Sequence, residues 1–378
     1  MERSRYRTYA AVDLSAVQHN FHTVKSRLQE GCKIMSVVKA DGYGHGSFEV
    51  ANALKESDYF AVACLDEGMK LREKGIETPI LILGYTSPRE TEKLVRWNMT
   101  QCIFDADYAR EIHSALPVGT VLKVHLKIDT GMSRLGFYAH DEKAVAETAE
   151  KIADLIPQTP NLHYEGVFTH FTSSEDADLP HTEEQFSLFM SLLSLLKEKN
   201  ITFPLRHCAN SGAIFNYPEM HLDMVRPGIV LYGYFPDPDK DFGLKPALEL
   251  EAHIAQIHHL EAGDAISYNR TFRAEKPMDV ATVCIGYGDG LHRALSGEAY
   301  LLVNGKKAKI LGRICMDQCI VDVTGIETKA GDVATLIGKS GDLTLTAADL
   351  AACAGTIHYE ILCSIGKRIP RIYPNKGN

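Results

Sequence analysis

Reactive side chains recur at similar positions through the first two thirds of this 378-residue chain. Each one lies at or shortly after the end of a short apolar run. Amine, imidazole, guanidinium and hydroxyl groups of this kind can transfer protons and hold anionic groups. The set comprises Lys39, Lys127, Arg134, His170, His207, Asn210, Ser211, Arg226 and Gly228. Placement this regular is hard to explain by packing, so we treat these residues as candidates for one active site.

The apolar runs are rich in β-branched residues, which is typical of buried parallel strands. They occupy residues 34–39, 60–64, 80–83, 101–104, 121–128, 165–169, 205–208 and 222–225. Segments with helical periodicity alternate with them, at 13–29, 48–56, 66–74, 87–96, 106–115, 141–155 and 183–199. About eight strand–helix repeats predict a (β/α)₈ barrel of the TIM type, whose carboxyl strand ends meet at one mouth. An open doubly wound sheet is the alternative, but no GxGxxG follows the first strand.

The character of the sequence changes in the Pro, Gly and Asp-rich passage FPDPDKDFGLKP, at residues 235–246. Little helical periodicity follows until the 340s. Strands are predicted instead at 249–259, 279–285, 299–303, 308–314, 319–323 and 333–337. The fold class is therefore α/β, with a barrel over residues 12–240. A mainly β domain follows over residues 241–378, and we expect residues 1–11 to join it.

Composition excludes several classes of protein. A net charge of −9 disfavours nucleic-acid binding, which needs a basic surface. The nine cysteines are odd in number and contain no CxxC pair, so we expect reduced thiols, with neither a disulfide framework nor a metal site. The first residues, MERSRYRTYA, lack the apolar stretch of a signal peptide, and no segment approaches the roughly 18 apolar residues of a membrane span. We expect a cytoplasmic protein without membrane contact.

Nine short motifs occur in the order in which they occur in bacterial alanine racemases. They are VVKADGYGHG, KIDTGMSRLGF, THF, ANS, VRPGI, ISY, IGYGDG, GRICMDQ and TIHYE. The chain resembles that family from about residue 9 to residue 373. The resemblance implies an enzyme that interconverts L- and D-alanine with pyridoxal 5'-phosphate (PLP) and supplies D-alanine for peptidoglycan. It also implies a homodimer whose active sites are shared between subunits.

The resemblance assigns roles to individual residues. Lys39 would bind PLP covalently and act as the base on one face of the substrate, and Tyr268 of the other subunit would act on the opposite face. Arg226 would face the pyridine nitrogen, with His170 supporting it and His207 contacting the PLP ring. The remaining cofactor contacts would be Tyr43, Asn210, Ser211, Gly228, Ile229 and Tyr359.

Further residues would bind or admit the substrate. Arg134 and the backbone of Met316 would contact its carboxylate. Lys127 matches a lysine that carries a carbamate in many members of the family, where it holds the arginine that corresponds to Arg134. The entrance would be formed by Glu175, Tyr287, Arg293, Arg313, Asp317 and Ile357. The family commonly has aspartate at the position of Glu175.

Other functions remain open on the sequence. The segment SYNRTF resembles the serine/alanine racemase domains of vancomycin-resistance systems. Those domains, however, tend to have asparagine at the position of Tyr359, and those proteins carry a membrane domain. We therefore expect alanine as the substrate, with slower turnover of serine. A PLP-dependent decarboxylase would share both domains, yet ANSGA and SYNR do not resemble its glycine-rich phosphate loop and catalytic cysteine. A single-barrel PLP carrier would end after the barrel, and an inactive binding protein would have the same sequence pattern as the enzyme.

Overall fold

A computed structural model describes residues 5–374 of the chain. Residues 1–4 and 375–378, which the predicted β domain includes, lie outside the described residues. The chain divides into two compact units. One consists of Ala16–Gly42 and Ser47–Pro246, and we call it the barrel unit. The other, the β unit, combines the chain up to Ser15 with Tyr43–Gly46 and the part from Ala247 onward.

The barrel unit is built around eight parallel strands, counted within residues 5–374. They are Lys33–Val37, Tyr59–Val62, Ile80–Ile82, Met99–Ile103, Leu122–Asp129, Leu162–Phe168, Leu205–His207 and Met224–Val225. The first seven pair in parallel in chain order, and the eighth pairs with the first. Backbone hydrogen bonds bridge the seventh and eighth, since the Asp223 N–H donates to the Arg206 carbonyl at 3.1 Å. The predicted (β/α)₈ barrel is confirmed.

Helices separate the barrel strands, as the periodicity predicts. They are Leu14–Lys25, Ser47–Ala53, Leu65–Glu73, Thr91–Arg96, Ala106–Ala115, Glu142–Gln158, His181–Glu198 and Ser211–Asn216, with 3₁₀ turns at Pro88–Glu90, Pro218–Met220 and Ile229–Tyr232. Aspartate side chains cap two of them, because Asp105 accepts the Tyr108 N–H at 2.7 Å and Asp141 accepts the Ala144 N–H at 2.8 Å. Across residues 5–374, none of the helices has the length and apolar character needed to cross a membrane.

Several strand boundaries differ from the prediction by one to three residues, and two of the differences have a clear physical reason. The first strand ends at Val37, two residues before the predicted end, because the backbone turns sharply after Val38. The sixth begins at Leu162, three residues before the predicted start at 165. Its first half, Leu162–Glu165, mixes polar with apolar residues, whereas a continuous apolar run is the usual mark of a buried parallel strand. The sequence pattern therefore hides this part of the strand.

The β unit contains a nine-stranded sheet, counted within the described residues. Its strands are Thr8–Val12, Leu248–Leu260, Met278–Val283, Tyr300–Val303, Lys306–Leu311, Cys319–Asp322, Val333–Ser340, Leu343–Leu345 and Arg371–Ile372. The long strand Leu248–Leu260 pairs antiparallel with Thr8–Val12, Met278–Val283 and Val333–Ser340, and it alternates buried and less buried residues at its start. All six predicted strands are present, so the mainly β character is confirmed.

Short elements of the β unit escape the sequence pattern. A two-stranded ribbon joins Ala265–Ile266 to Phe272–Arg273, and 3₁₀ turns occupy Tyr268–Arg270, Tyr287–Asp289 and Arg293–Leu295. Two helices, Ala347–Ala354 and His358–Ser364, come near the end. The first starts at a capping box, in which Thr346 and Asp349 each accept a backbone N–H of the other.

Candidate active site

Arg226 lies buried at the carboxyl end of the eighth barrel strand, with 4% of its surface exposed. Its Nη1 donates to Nδ1 of His207 at 2.9 Å. Its Nη2 donates to the carbonyls of Thr169 at 2.8 Å and Cys208 at 3.0 Å. Burial lowers the pKa of Arg226 to about 10, which leaves the guanidinium charged at neutral pH. The geometry therefore holds a fixed cation at the barrel mouth.

Two buried histidines contact this cation. His207 bonds to it directly and stacks on Phe168, with ring centres 4.8 Å apart. Nδ1 of His170 lies 3.3 Å from Nη2 of Arg226. Burial, followed by the charge of Arg226, lowers the pKa of each histidine well below its ordinary value. Both imidazoles are therefore neutral, and both face the arginine.

Lys127 ends up in the same region, on the fifth barrel strand. Only 6% of its surface is exposed, and its Nζ has no hydrogen-bond partner among the described residues. Burial, together with the charge of Arg226, lowers the pKa of the Lys127 amine to about 7. A large share of these amines is thus uncharged at neutral pH, and an uncharged amine is nucleophilic.

The mouth as a whole is electropositive. Lys39, Lys127, Arg134 and Arg226 all act to lower the pKa of His170, after the effect of burial. Like charges repel, so gathering three cations and the partly charged Lys127 around one point is unfavourable unless an anion joins them. A phosphorylated cofactor and a carboxylate substrate would supply that negative charge. The residues present therefore fit PLP.

Lys39 follows the first barrel strand and is partly exposed. The next three residues, Ala40, Asp41 and Gly42, have φ values of 52°, 54° and 62°. For residues other than glycine this left-handed backbone costs roughly 1–2 kcal/mol each. Hydrogen bonds hold it, because the Ala40 N–H donates to Glu67 at 2.7 Å and Asp41 accepts the Ser47 N–H at 3.0 Å. The backbone that carries Lys39 is therefore firmly positioned.

Ser211, Asn210 and Gly228 are brought together at the start of the helix Ser211–Asn216. The Ser211 hydroxyl accepts the Gly228 N–H at 3.0 Å. Asn210, and not Ser211, caps the helix, because its side chain accepts the Ala213 N–H at 3.2 Å. Ile229 is fully buried and begins the 3₁₀ turn that follows Gly228. A hydroxyl that accepts one hydrogen bond can still donate one, so this corner suits a phosphate.

The loop that carries Arg134 is organised by Asp129. The Asp129 carboxylate accepts the N–H groups of Gly131 at 3.1 Å and Ser133 at 3.0 Å. Gly136 has a φ of 132°, and a Cβ there would lie 2.6 Å from the Asp129 nitrogen, so no side chain fits. Arg134 itself is exposed. The loop therefore has a fixed backbone and presents a cation that can reach for a ligand.

In the β unit, Tyr43 packs near Tyr359, with ring centres 6.1 Å apart. Tyr43 is 6% exposed, and Tyr359 lies in the first turn of the helix His358–Ser364. The two aromatic residues predicted to bind phosphate are thus neighbours, although they are more than 300 positions apart in the sequence.

Tyr268 lies in a tight turn, whereas the pattern AISYNR suggests a strand residue. The strand ends at Ile266, and Ser267 and Asn269 have φ values of 63° and 61°. The Ser267 hydroxyl donates to the Arg313 carbonyl at 2.5 Å, which fastens the turn. Asparagine tolerates this backbone better than most residues, which explains the break in the strand. Tyr268 is 65% exposed as a result.

Two loops of the β unit carry most of the predicted entrance. The Tyr287 N–H donates to the Cys315 carbonyl at 3.0 Å, and the Gly288 N–H donates to the Met316 carbonyl at 2.8 Å. Tyr287, Arg293, Met316, Asp317 and Ile357 are exposed, and Arg313 is partly buried. Glu175 belongs to the barrel unit, after its sixth strand, and is partly buried.

Asp289 is a residue that the sequence analysis missed. Its buried carboxylate accepts hydrogen bonds from Arg7 at 2.5 Å, from Arg368 at 2.7 Å and from the Gly286 N–H at 3.0 Å. Arg368 also donates to Asp317 at 2.7 Å. Asp289 therefore ties distant parts of the β unit to the Tyr287 loop. Its place inside the motif IGYGDG is the one sequence signal that points to it.

Comparisons with known proteins agree with this geometry. A family model described as the alanine racemase N-terminal domain matches residues 12–236, and one for the alanine racemase C-terminal domain matches residues 247–373. The chain is 45% identical to alanine racemase of Carboxydothermus hydrogenoformans, over 97% of this chain and 99% of that protein.

Two solved structures are similar over nearly their whole length. Alanine racemase of Clostridium difficile superposes with a TM-score of 0.92 at 36% identity, covering 99% of this chain and 97% of that one. Alanine racemase of Bacillus anthracis with bound L-Ala-P gives a TM-score of 0.93 at 35% identity, covering 98% and 96%. With both family models matched and this level of identity, the chain belongs to the alanine racemase family.

Proposed function

We propose that this protein interconverts L-alanine and D-alanine with PLP bound at the mouth of the barrel. The observation that carries the proposal is the convergence of Lys39, Lys127, Arg134 and Arg226 on His170, which favours an anionic cofactor and a carboxylate substrate. When bound, PLP supplies an electron sink for the substrate's α-carbon after a proton has left it.

Lys39 would hold PLP covalently, and Arg226 would face the pyridine nitrogen. Because a guanidinium keeps its proton throughout the accessible pH range, Arg226 would not give that nitrogen a proton. Electron withdrawal is then weaker, and the α-carbon regains a hydrogen quickly, which favours racemisation over transamination. His170 and His207 keep Arg226 in place by accepting from it.

The phosphate would be held by Ser211 and by the backbone N–H groups of Gly228 and Ile229, with Asn210 fixing that corner. The contact between the Ser211 hydroxyl and the Gly228 nitrogen supports this assignment. The family resemblance adds the hydroxyls of Tyr43 and Tyr359.

Racemisation needs one base on each face of the α-carbon. We assign one face to Lys39 and the other to Tyr268 of the partner subunit. The 65% exposure of Tyr268 on its own chain is compatible with a role in a neighbouring site. The proposal therefore includes a homodimer in which each subunit completes the active site of the other.

The substrate carboxylate would be bound by Arg134 and by the backbone of Met316. A carbamate on Lys127 would give Arg134 a negative partner, and the uncharged amine at neutral pH supports that modification. Glu175, Tyr287, Arg293, Arg313, Asp317 and Ile357 would line the route to the site. Tyr359 would leave room for a methyl group and less for a hydroxymethyl group, so alanine is preferred over serine.

The test is to incubate the purified protein with L-alanine and PLP and to follow D-alanine and carbon dioxide. D-alanine formation that is lost in Lys39→Ala is the expected result, with L-serine converted more slowly. Release of carbon dioxide would instead indicate a decarboxylase, and no reaction would indicate a carrier or binding protein. An absorbance near the violet end of the visible range should disappear on borohydride treatment and in Lys39→Ala. On the family resemblance, we further propose that the activity supplies D-alanine for peptidoglycan in the cytoplasm.

A further inference from the structure

A further buried histidine, His125, contacts His207 in the barrel interior. His125, in the middle of the fifth strand, is fully buried. Its Nδ1 lies 2.9 Å from Nε2 of His207, and the two rings meet nearly edge to face with centres 5.1 Å apart. A barrel interior is normally filled with branched apolar side chains, so two bonded imidazoles there are unusual.

The direction of each hydrogen bond in the series Arg226, His207 and His125 follows from Arg226. A guanidinium has no acceptor, so Nδ1 of His207 must carry the lone pair that receives the bond from Arg226. Burial lowers the pKa of His207 and of His125, which makes both rings neutral. The hydrogen of His207 is then on Nε2 and points at Nδ1 of His125. His125 must in turn carry its hydrogen on Nε2.

That Nε2 of His125 faces a carboxylate. It lies 3.7 Å from Oε2 of Glu165, on the sixth strand, which is too long for a hydrogen bond but close enough for electrostatic attraction. The Glu165 carboxylate accepts hydrogen bonds from the Tyr59 hydroxyl at 2.6 Å and from Lys123 at 3.0 Å. Burial raises the pKa of Glu165, but its polar neighbours His125, Tyr59 and Lys123 outweigh burial and bring it to about 2. Glu165, at the opposite end of the series from Arg226, is thus negatively charged at neutral pH.

The backbone makes room for this arrangement. Gly166 is the register partner of His125 on the adjacent strand. A Cβ at Gly166 would lie 2.6 Å from Nδ1 of His125, well inside contact distance. Any other residue there would push the imidazole away from His207. Gly166 is therefore required for the hydrogen bond between His125 and His207.

We propose that His125 and Glu165 are positioning residues for the chemistry at the barrel mouth, acting through His207 on Arg226. Glu165 attracts the Nε2 hydrogen of His125, which keeps the Nδ1 lone pair of His125 toward His207 and the Nδ1 lone pair of His207 toward Arg226. The two hydrogen bonds, from Arg226 to His207 and from His207 to His125, polarise one another. The negative charge of Glu165 acts on their far end across 3.7 Å and so stabilises the cation at the other. This inference rests on the proposed function for its effect on catalysis, but the hydrogen-bond directions do not.

The first experiment uses the wild-type protein without PLP, labelled with ¹⁵N-histidine. His125 and His207 should both be neutral with the hydrogen on Nε2, even below the ordinary histidine pKa of about 6.5. His125→Phe identifies the signals. A hydrogen on Nδ1 of His207, or titration of either ring near the ordinary value, would overturn the proposal. Because this readout needs no cofactor or substrate, it stands even if the racemase assay fails.

The second experiment compares Glu165→Gln with Lys123→Met, which removes another partner of the same carboxylate. Glu165→Gln should shift the Nε2 signal of His125 and, less strongly, that of His207. It should also lower kcat roughly tenfold while KM changes little, because the negative charge that orients the two imidazoles is lost. Lys123→Met should leave the His207 signal and kcat unchanged. A shift confined to His125 in Glu165→Gln, with normal kcat, would show that Glu165 affects only its immediate neighbour and would refute the proposal.

Discussion

The Nζ atom of Lys127 lies 5.0 Å from the centre of the Phe168 ring, and it has no hydrogen-bond partner among the described residues. The guanidinium of Arg226 lies 5.3 Å from the same ring centre. A buried amine beside a second cation is unfavourable in its charged form, so a reaction that converts it into an anion would relieve the repulsion. Two predictions follow from this relationship.

The first concerns carbon dioxide. The uncharged Lys127 amine would attack the carbon of CO₂, forming an N–C bond while one C=O π bond opens onto oxygen. Loss of the N–H proton to water would then leave a carbamate anion near Arg226. We expect a carbamate resonance in the ¹³C NMR spectrum of protein equilibrated with ¹³C-bicarbonate. Lys127→Arg keeps a positive charge but cannot react, so it should lack that resonance. Identical spectra for the two proteins, or full activity of Lys127→Ala, would contradict the carbamate.

The second concerns stability and pH. Folding lowers the pKa of Lys127 from 10.5 to about 7, with burial as the main cause. Between these values the unfolded chain binds more protons than the folded one, so this residue makes the free energy of unfolding rise with pH. The cost of the buried charge is fully present below about pH 7. Lys127→Met should therefore be more stable than the wild type by a few kcal/mol below that pH.

This gain should shrink steadily as the pH rises toward 10.5. Urea unfolding in buffers free of carbon dioxide measures it, because a carbamate would otherwise stabilise the wild type. A difference in the free energy of unfolding that is independent of pH would mean that Lys127 does not titrate as described.

A third prediction concerns Asp289. This buried carboxylate pairs with Arg7 and Arg368, so Asp289→Asn takes this anion from Arg7 and leaves Arg368 with the exposed Asp317. We expect a loss of about 3 kcal/mol in the free energy of unfolding. Asp317→Asn removes the exposed partner of the same Arg368 and should cost about 0.5 kcal/mol or less. Similar losses for the two variants, measured by urea unfolding, would show that burial of Asp289 is unimportant.

A fourth prediction concerns Tyr268. If its hydroxyl serves one face of the substrate, Tyr268→Phe should lower the racemisation rate by roughly 10²–10⁴-fold. L- and D-alanine have equal free energies, so kcat/KM must fall equally in both directions. Exchange of the α-hydrogen with deuterium from solvent should persist for one enantiomer only, through Lys39. NMR of each enantiomer in D₂O tests this, and exchange of both at wild-type rates would exclude Tyr268 as a base.

Residue types and their spacing determine much of this protein. Apolar β-branched runs such as 80–83 predict buried strands because a parallel strand in a barrel is covered on both faces. Lys39, His207 and Arg226 could be selected as candidates because each follows such a run, and carboxyl strand ends meet at one mouth. Hydrophobic periodicity depends only on residues that are close in the sequence, so it can be recognised from the sequence alone.

Only the tertiary structure decides which side chains meet. His125 occupies a strand position that reads as core packing, and nothing in the sequence pairs it with His207, 82 positions away. The sequence pattern also does not show the burial that lowers the pKa of Lys127 to about 7. Nor does it show the turn that exposes Tyr268. These three features arise only when the sheet closes or a loop is fixed by hydrogen bonds. The energy of a buried charge or hydrogen bond depends on its surroundings, and those surroundings come from distant parts of the chain.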